Sequence, residues 1–149
     1  MAKPIPDGYH SLTPYLIVDG AAKAIDFYQR AFGAEELFRM PAPGGRVGHA
    51  EMRIGDSIFM LADESPEQGA RAPQGPSPVH LVIYCEDVDK VWKRSLAAGG
   101  KELRPLQNQF YGDRSGTLAD PFGHQWTVGT HVEDVSPEEM KRRMAQQHK

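Results

Sequence analysis

The chain has 149 residues, with 17 Lys and Arg against 20 Asp and Glu, a net charge of −3. That balance excludes the basic face of a nucleic-acid binder, and a single cysteine, Cys85, excludes an internal disulfide or a cysteine-built zinc site. The longest apolar run, Val79 to Cys85, is far short of the roughly 18 residues of a membrane span, and Met1 to Gly8 lacks the apolar stretch of an export signal.

A strand-like run, Leu12 to Val18, leads into a helical pattern from Ala21 to Phe32. Ile25, Tyr28 and Phe32 recur there at helical spacing, and Gly33 is placed to stop the helix. A strand around Leu37 to Met40 and a Pro/Gly loop, Pro41 to Gly45, follow. Two alternating runs, Val47 to Ile54 and Ser57 to Ala62, flank Gly55-Asp56, which is the pattern of a hairpin. Residues 64–78 carry prolines, glycines and almost no periodicity, and read as a linker.

The same order then returns. Val79 to Cys85 is a strand, and Val88, Val91, Trp92, Ser95 and Leu96 mark a helix closed by Gly99-Gly100. Glu102 to Leu106, Ser115 to Ala119 and His124 to Thr130 are strands, the last two joined by Asp120-Pro121-Phe122-Gly123, a turn by residue type. Subtraction gives one offset. Gly33 and Gly100, Glu35 and Glu102, Ile25 and Trp92, and Phe59 and Trp126 are each 67 apart. The chain is therefore a duplicated βαβββ unit of α+β class, with module 1 at about 10–63, module 2 at about 79–131, and a terminal helix at about 136–147. Ser136-Pro137-Glu138-Glu139 supplies the signals that start that helix.

Two βαβββ modules on a short linker resemble the vicinal oxygen chelate superfamily of glyoxalases, bleomycin- and fosfomycin-resistance proteins and extradiol dioxygenases. The resemblance rests on Ala24-Ile25-Asp26-Phe27-Tyr28, Phe32-Gly33 and Asp120-Pro121-Phe122-Gly123-His124. His49-Ala50-Glu51, Ile54-Gly55-Asp56-Ser57, Gly112-Asp113-Arg114 and Val132-Glu133-Asp134 are most similar to its PhnB-like branch. The resemblance implies a curved mixed sheet around a concave pocket, and a homodimer with its cavity at or near the interface.

It also implies where a divalent metal would sit. The ligand positions on the first and last strands of each module fall on Thr13 and His80, and on Met60 and Thr127. Only His80 is a good ligand, whereas catalytic sites supply about three, and a thioether and hydroxyls suit zinc, nickel or magnesium poorly. No metal or other cofactor is expected at those positions.

The hairpin register offers other polar groups. With Gly55-Asp56 as the turn, Ile54 faces Ser57, Arg53 faces Ile58 and Glu51 faces Met60. His49, Glu51 and Arg53 then share the concave face with Met60, while Met52, Ile54, Phe59 and Leu61 face the helix. These ions either pair with one another on a half-solvated strand face or contact a ligand. His49, Glu51 and His80 together would also make a two-histidine, one-carboxylate iron site if they converged. If Gly116 faces Thr127, Arg114 lies on the concave side as well, where it either forks onto a ligand carboxylate or phosphate or pairs with an acid of the protein.

These observations predict a cytoplasmic protein that touches neither nucleic acid nor membrane and that, with the homodimer and concave pocket the resemblance implies, binds a small organic molecule in that pocket without the usual metal. The pocket-lining candidates are Thr13, Tyr15, His49, Glu51, Arg53, Met60, His80, Tyr84, Arg114, Gln125 and Thr127. The alternative is a metal-dependent lyase, isomerase or dioxygenase of the same superfamily. No catalytic residue is assigned.

Overall fold

Alternating burial along the strands and a 3.6-residue period in two helices dictate a layered structure, because each sheet has one apolar face to cover. A computed structural model describes residues 2–147. Module 1 runs β1 (Tyr15–Val18), α1 (Ala21–Phe32), β2 (Glu35–Ala42), β3 (Arg46–Ile54) and β4 (Ser57–Asp63). Module 2 repeats it with β5 (His80–Tyr84), α2 (Val88–Ala97), β6 (Lys101–Asn108), β7 (Asp113–Ala119) and β8 (Gln125–His131), and α3 (Pro137–Gln147) follows. Each module forms its own four-stranded mixed sheet, ordered β1-β4-β3-β2 and β5-β8-β7-β6. The first strand runs parallel to the last in both.

α1 packs on α2, and the sheets bury their helix-facing sides around this pair. Tyr28 lies at the centre, fully buried, with its ring 5.2 Å from Trp126 and 5.7 Å from Phe59. Its hydroxyl donates to Asp120 Oδ2 at 2.6 Å, and Trp126 Nε1 donates to the same oxygen at 2.8 Å. Asp120 Oδ1 accepts the backbone N–H groups of Phe122 and His124.

The duplication extends to the helix starts. Asp63 in β4 accepts from the backbone N–H groups of Gly20 and Ala21 on one oxygen and of Val47 on the other, all at 2.8 Å. Sixty-seven positions on, Thr130 in β8 accepts from the N–H of Val88 and donates to the carbonyl of Cys85. In each module a side chain of the last strand satisfies the first turn of the helix. Gly33 ends α1 in the left-handed conformation, φ 68°, as its position predicts.

At Gly116, β7 comes close to α2. A Cβ there would stand 2.8 Å from two ring carbons of Trp92 and 3.1 Å from the Leu106 Cα. Gly116→Ala is expected to cost about 1–3 kcal/mol by overpacking. A urea midpoint equal to that of the parent protein would show that Trp92 has room to move.

The β3–β4 pairing is the one the hairpin predicts, with Ile54 opposite Ser57, Arg53 opposite Ile58 and Glu51 opposite Met60. The β7–β8 pairing differs by one residue. Thr117, not Gly116, stands opposite Thr127. A one-residue slip turns every side chain to the other face, so Arg114 lies on the helix side, where its guanidinium grips Asp89 of α2 at 2.9 and 3.2 Å. The loop is the cause. The Asp120 carboxylate and the Asp120 N–H···O=C His124 bond hold His124 inside the turn, which is thereby one residue wider than its sequence suggests.

Candidate functional site

The helix-free face of module 1 carries a continuous polar chain. His49 and Glu51 alternate onto this face from β3, and Tyr15 reaches it from β1, in register with Met60. The His49 ring donates from Nε2 to Glu51 Oε2 at 2.9 Å, and its Nδ1 meets the Tyr15 hydroxyl at 2.9 Å. Because the Glu51 carboxylate only accepts, the imidazole in its neutral form carries its proton on Nε2, and Nδ1 then accepts the Tyr15 hydroxyl proton. Tyr9, from the segment before β1, closes the other end by donating to Glu51 Oε1.

The electrostatics follow from this chain. The Tyr9 hydroxyl, then the His49 ring, hold the Glu51 carboxyl below its usual range, against the opposing effect of burial. Burial, then the bond to Glu51, pushes Tyr9 up to about 12. Burial, then the Glu51 charge, raises Tyr15 as well. Tyr15 is thus kept as a phenol, a hydrogen-bonding group rather than a base. The Tyr15 and Phe38 rings lie 5.6 and 6.3 Å from the His49 ring, and each is 47% exposed. They offer a ligand an aromatic surface on both sides of the imidazole.

The helix-free face of module 2 holds a second chain. Tyr84 donates to Asp113 Oδ2 at 2.7 Å, and His131 bridges Asp113 and Asp134 at 2.9 and 2.8 Å. Asp113, then Asp134, raises the His131 pKa by stabilising the imidazolium. Val82 and Tyr84 on β5 are 58% and 64% exposed, an apolar edge beside this chain.

The structure thus groups the sequence-predicted residues in two sets. Tyr15, His49, Glu51 and Met60 share the face of module 1. Arg53 is paired to Glu35 at 2.6 Å, and Thr13 precedes β1. His80, Tyr84, Gln125 and Thr127 share the face of module 2, with His80 opposite Gln125 and the Thr127 hydroxyl bonded to that of Thr117 at 2.8 Å. Arg114 belongs to neither. Sequence reasoning missed Tyr9, Phe38, Asp113 and His131. Asp113 and His131 were legible in principle, since the correct β7–β8 register puts them opposite one another.

The donor set does not fit the superfamily's metal. Of its four positions, Thr127 has its hydroxyl committed to Thr117, Met60 offers a thioether, and Thr13 and His80 add one imidazole. Nor do His49, Glu51 and His80 converge within one chain: among the described residues no three His, Cys, Asp or Glu side chains gather closely enough to hold a metal ion.

Comparison with known proteins gives one consistent answer. The profile of the Glyoxalase/Bleomycin resistance protein/Dioxygenase superfamily matches residues 9–128. The protein Rv0887c of Mycobacterium tuberculosis is 42% identical over 142 residues, covering 92% of this chain and 84% of that one. The crystal structure of TioX from Micromonospora sp. ML1 is 28% identical, with a TM-score of 0.68 over 83% of this chain and 99% of that one. The PhnB protein of Bacillus cereus, 23% identical, superposes with a TM-score of 0.66 over 81% of this chain and 99% of that one. Among the described residues no helix is long and apolar enough to cross a membrane.

Proposed function

Because the chain belongs to the glyoxalase/bleomycin resistance protein/dioxygenase superfamily, we propose that it binds a small organic molecule on the helix-free faces of its sheets, without the superfamily's divalent metal. The observation that carries this reading is the Tyr9–Glu51–His49–Tyr15 chain. It holds the His49 imidazole between the exposed Tyr15 and Phe38 rings and fixes the Tyr15 phenol beside it, on the face where the resemblance implies a pocket. Apolar rings with a few fixed polar groups are what a small-molecule site needs.

Tyr15 is the ligand-facing group. Tyr9 and Glu51 act through His49 as positioning residues, holding the imidazole so that the Tyr15 hydroxyl keeps one orientation. On module 2, His80, Tyr84, Gln125 and Thr127 supply the second wall. The two faces belong to different sheets, and a homodimer that sets module 1 of one copy against module 2 of another would close the pocket.

Elemental analysis of protein purified without chelator is expected to find metal well below one ion per chain, and added zinc, nickel or manganese is expected to leave the melting temperature unchanged. A thermal-shift screen of small organic molecules is expected to give saturable binders. Tyr15→Phe should weaken them about 2- to 10-fold, the worth of one hydrogen bond. Stoichiometric metal that disappears in His80→Ala would overturn the metal-free reading.

A further inference from the structure

The pseudo-repeat is broken at one place, and the break leaves a cavity. A cleft of about 710 Å³ opens between the tip of the β3–β4 hairpin and β5, away from the Tyr15–His49 face; helix-side residues form much of it, and Val82 and Tyr84 of the module 2 face share in its lining. Its walls include Phe32, Phe59, Trp126, Ile83 and Val91. The offset of 67 shows why it is open. Phe122, at the tip of the β7–β8 turn, corresponds to Gly55 at the tip of the β3–β4 turn. The Phe122 ring inserts edge-on into the core, with its centre 6.4 Å from the rings of both Phe27 and Tyr28. Gly55 inserts nothing, and a Cβ built on it meets no atom within 4 Å.

The burial of equivalent residues records the same asymmetry. Leu16 and Ala24 are 6% and 0% exposed. Their counterparts 67 positions on, Ile83 and Val91, are only half-buried and line the cleft. The charged side chains of its lining, Asp56 and Glu86, are both acidic. Ser57 donates to Asp56 Oδ1, and His10 reaches the Asp56 backbone carbonyl, so the Asp56 carboxylate still has acceptor capacity.

We propose that this cleft is a second binding site, specific for an aromatic organic cation. The ring takes the place in module 1 that Phe122 takes in the opposite half of the core, against Phe59 and Trp126, and the cationic group meets Asp56 and Glu86 at the mouth. Apolar walls select for the ring, and paired carboxylates favour a cation over an anion of the same shape.

The test uses the full chain, 15N-labelled and followed by NMR, with 2-phenylethylammonium as the probe and 3-phenylpropanoate as its anionic counterpart. The amine is expected to shift the Trp126 indole and the amides of Ile83 and Val91 saturably. The acid should bind about tenfold more weakly. Val91→Phe, which fills the cleft, should weaken the amine about tenfold, and Asp56→Asn with Glu86→Gln should erase the preference for the amine. Absence of saturable shifts at Trp126, Ile83 and Val91 would overturn the site, and so would shifts confined to Tyr15, His49 and Thr127. Equal binding of the two probes would overturn its cation specificity. A failed screen on the helix-free face leaves this test untouched, because Val91 and the Trp126 indole line this cleft and lie on the helix side, away from that face.

Discussion

Asp120→Ala is expected to destabilise the protein by roughly 3–6 kcal/mol, because it strands two buried donors at once. Tyr28 and Trp126 both donate to Oδ2 of this carboxylate, and neither ring can turn to solvent, since their exposures are 0% and 3%. The loss is also topological. Tyr28 comes from α1 and Trp126 from β8, so Asp120 ties the two modules through the centre of the core. Asp120→Asn should recover less than half of the loss, because one amide oxygen replaces two carboxylate oxygens that together serve four donors. Tyr28→Phe, which removes a donor without stranding one, should cost only about 1 kcal/mol. Urea denaturation of the three variants checks this. A loss of less than about 1 kcal/mol in Asp120→Ala would mean that water enters to replace the carboxylate.

The second large effect is at Asp63. Its carboxylate takes three backbone N–H groups, two of which open α1, so Asp63→Ala is expected to cost about 3 kcal/mol or more. The pH dependence has a definite sign. Burial opposes ionisation, but the N–H groups of Val47, Ala21 and Gly20 and the Arg46 guanidinium outweigh it, and the carboxyl is held below its ordinary value of 3.8. A depressed folded-state pKa gives stability that is present above the ordinary value and is lost as pH falls through the lowered one. The urea midpoint of the parent protein should therefore fall over the acid range below the ordinary value of 3.8. Asp63→Asn should be less stable at neutral pH and flatter across that range. A parent profile no steeper than that of the variant would remove Asp63 from the acid response.

Much of this architecture was legible because its signals are local. Alternation in Val47–Ile54 and Ser57–Ala62, with a two-residue turn between them, leaves one register, and it is the one found. The duplication was legible as a constant offset, although it shares few identical residues, because burial and turns repeat where sequence does not. The β7–β8 register was not. It depends on how many residues a side-chain-capped turn retains, and Asp120 retains His124 through a bond that residue type alone does not specify. That single residue moved Arg114 from ligand candidate to partner of Asp89. Tyr9 escaped for a different reason: it lies outside any periodic segment and joins the site only by crossing 42 positions to Glu51. Phe38 faces His49 because β2 pairs with bulges on either side of it, which leave no mark in the alternation.

The parallel pairing of first and last strands has a kinetic consequence. Tyr15 meets Met60 and His80 meets Gln125, so each module must close a loop of the same length, 60 − 15 and 125 − 80 both giving 45 positions, before its sheet is complete. Hairpins are expected to form first and these closures to set the pace, since the entropy of a long loop is spent before its contacts return anything. The two tryptophans time the steps separately. Trp92 is held within its own module against Gly116, whereas Trp126 meets Tyr28, Phe32 and Phe59 from the other. A Trp92→Phe protein would therefore report docking of the halves, and a Trp126→Phe protein the completion of one half alone.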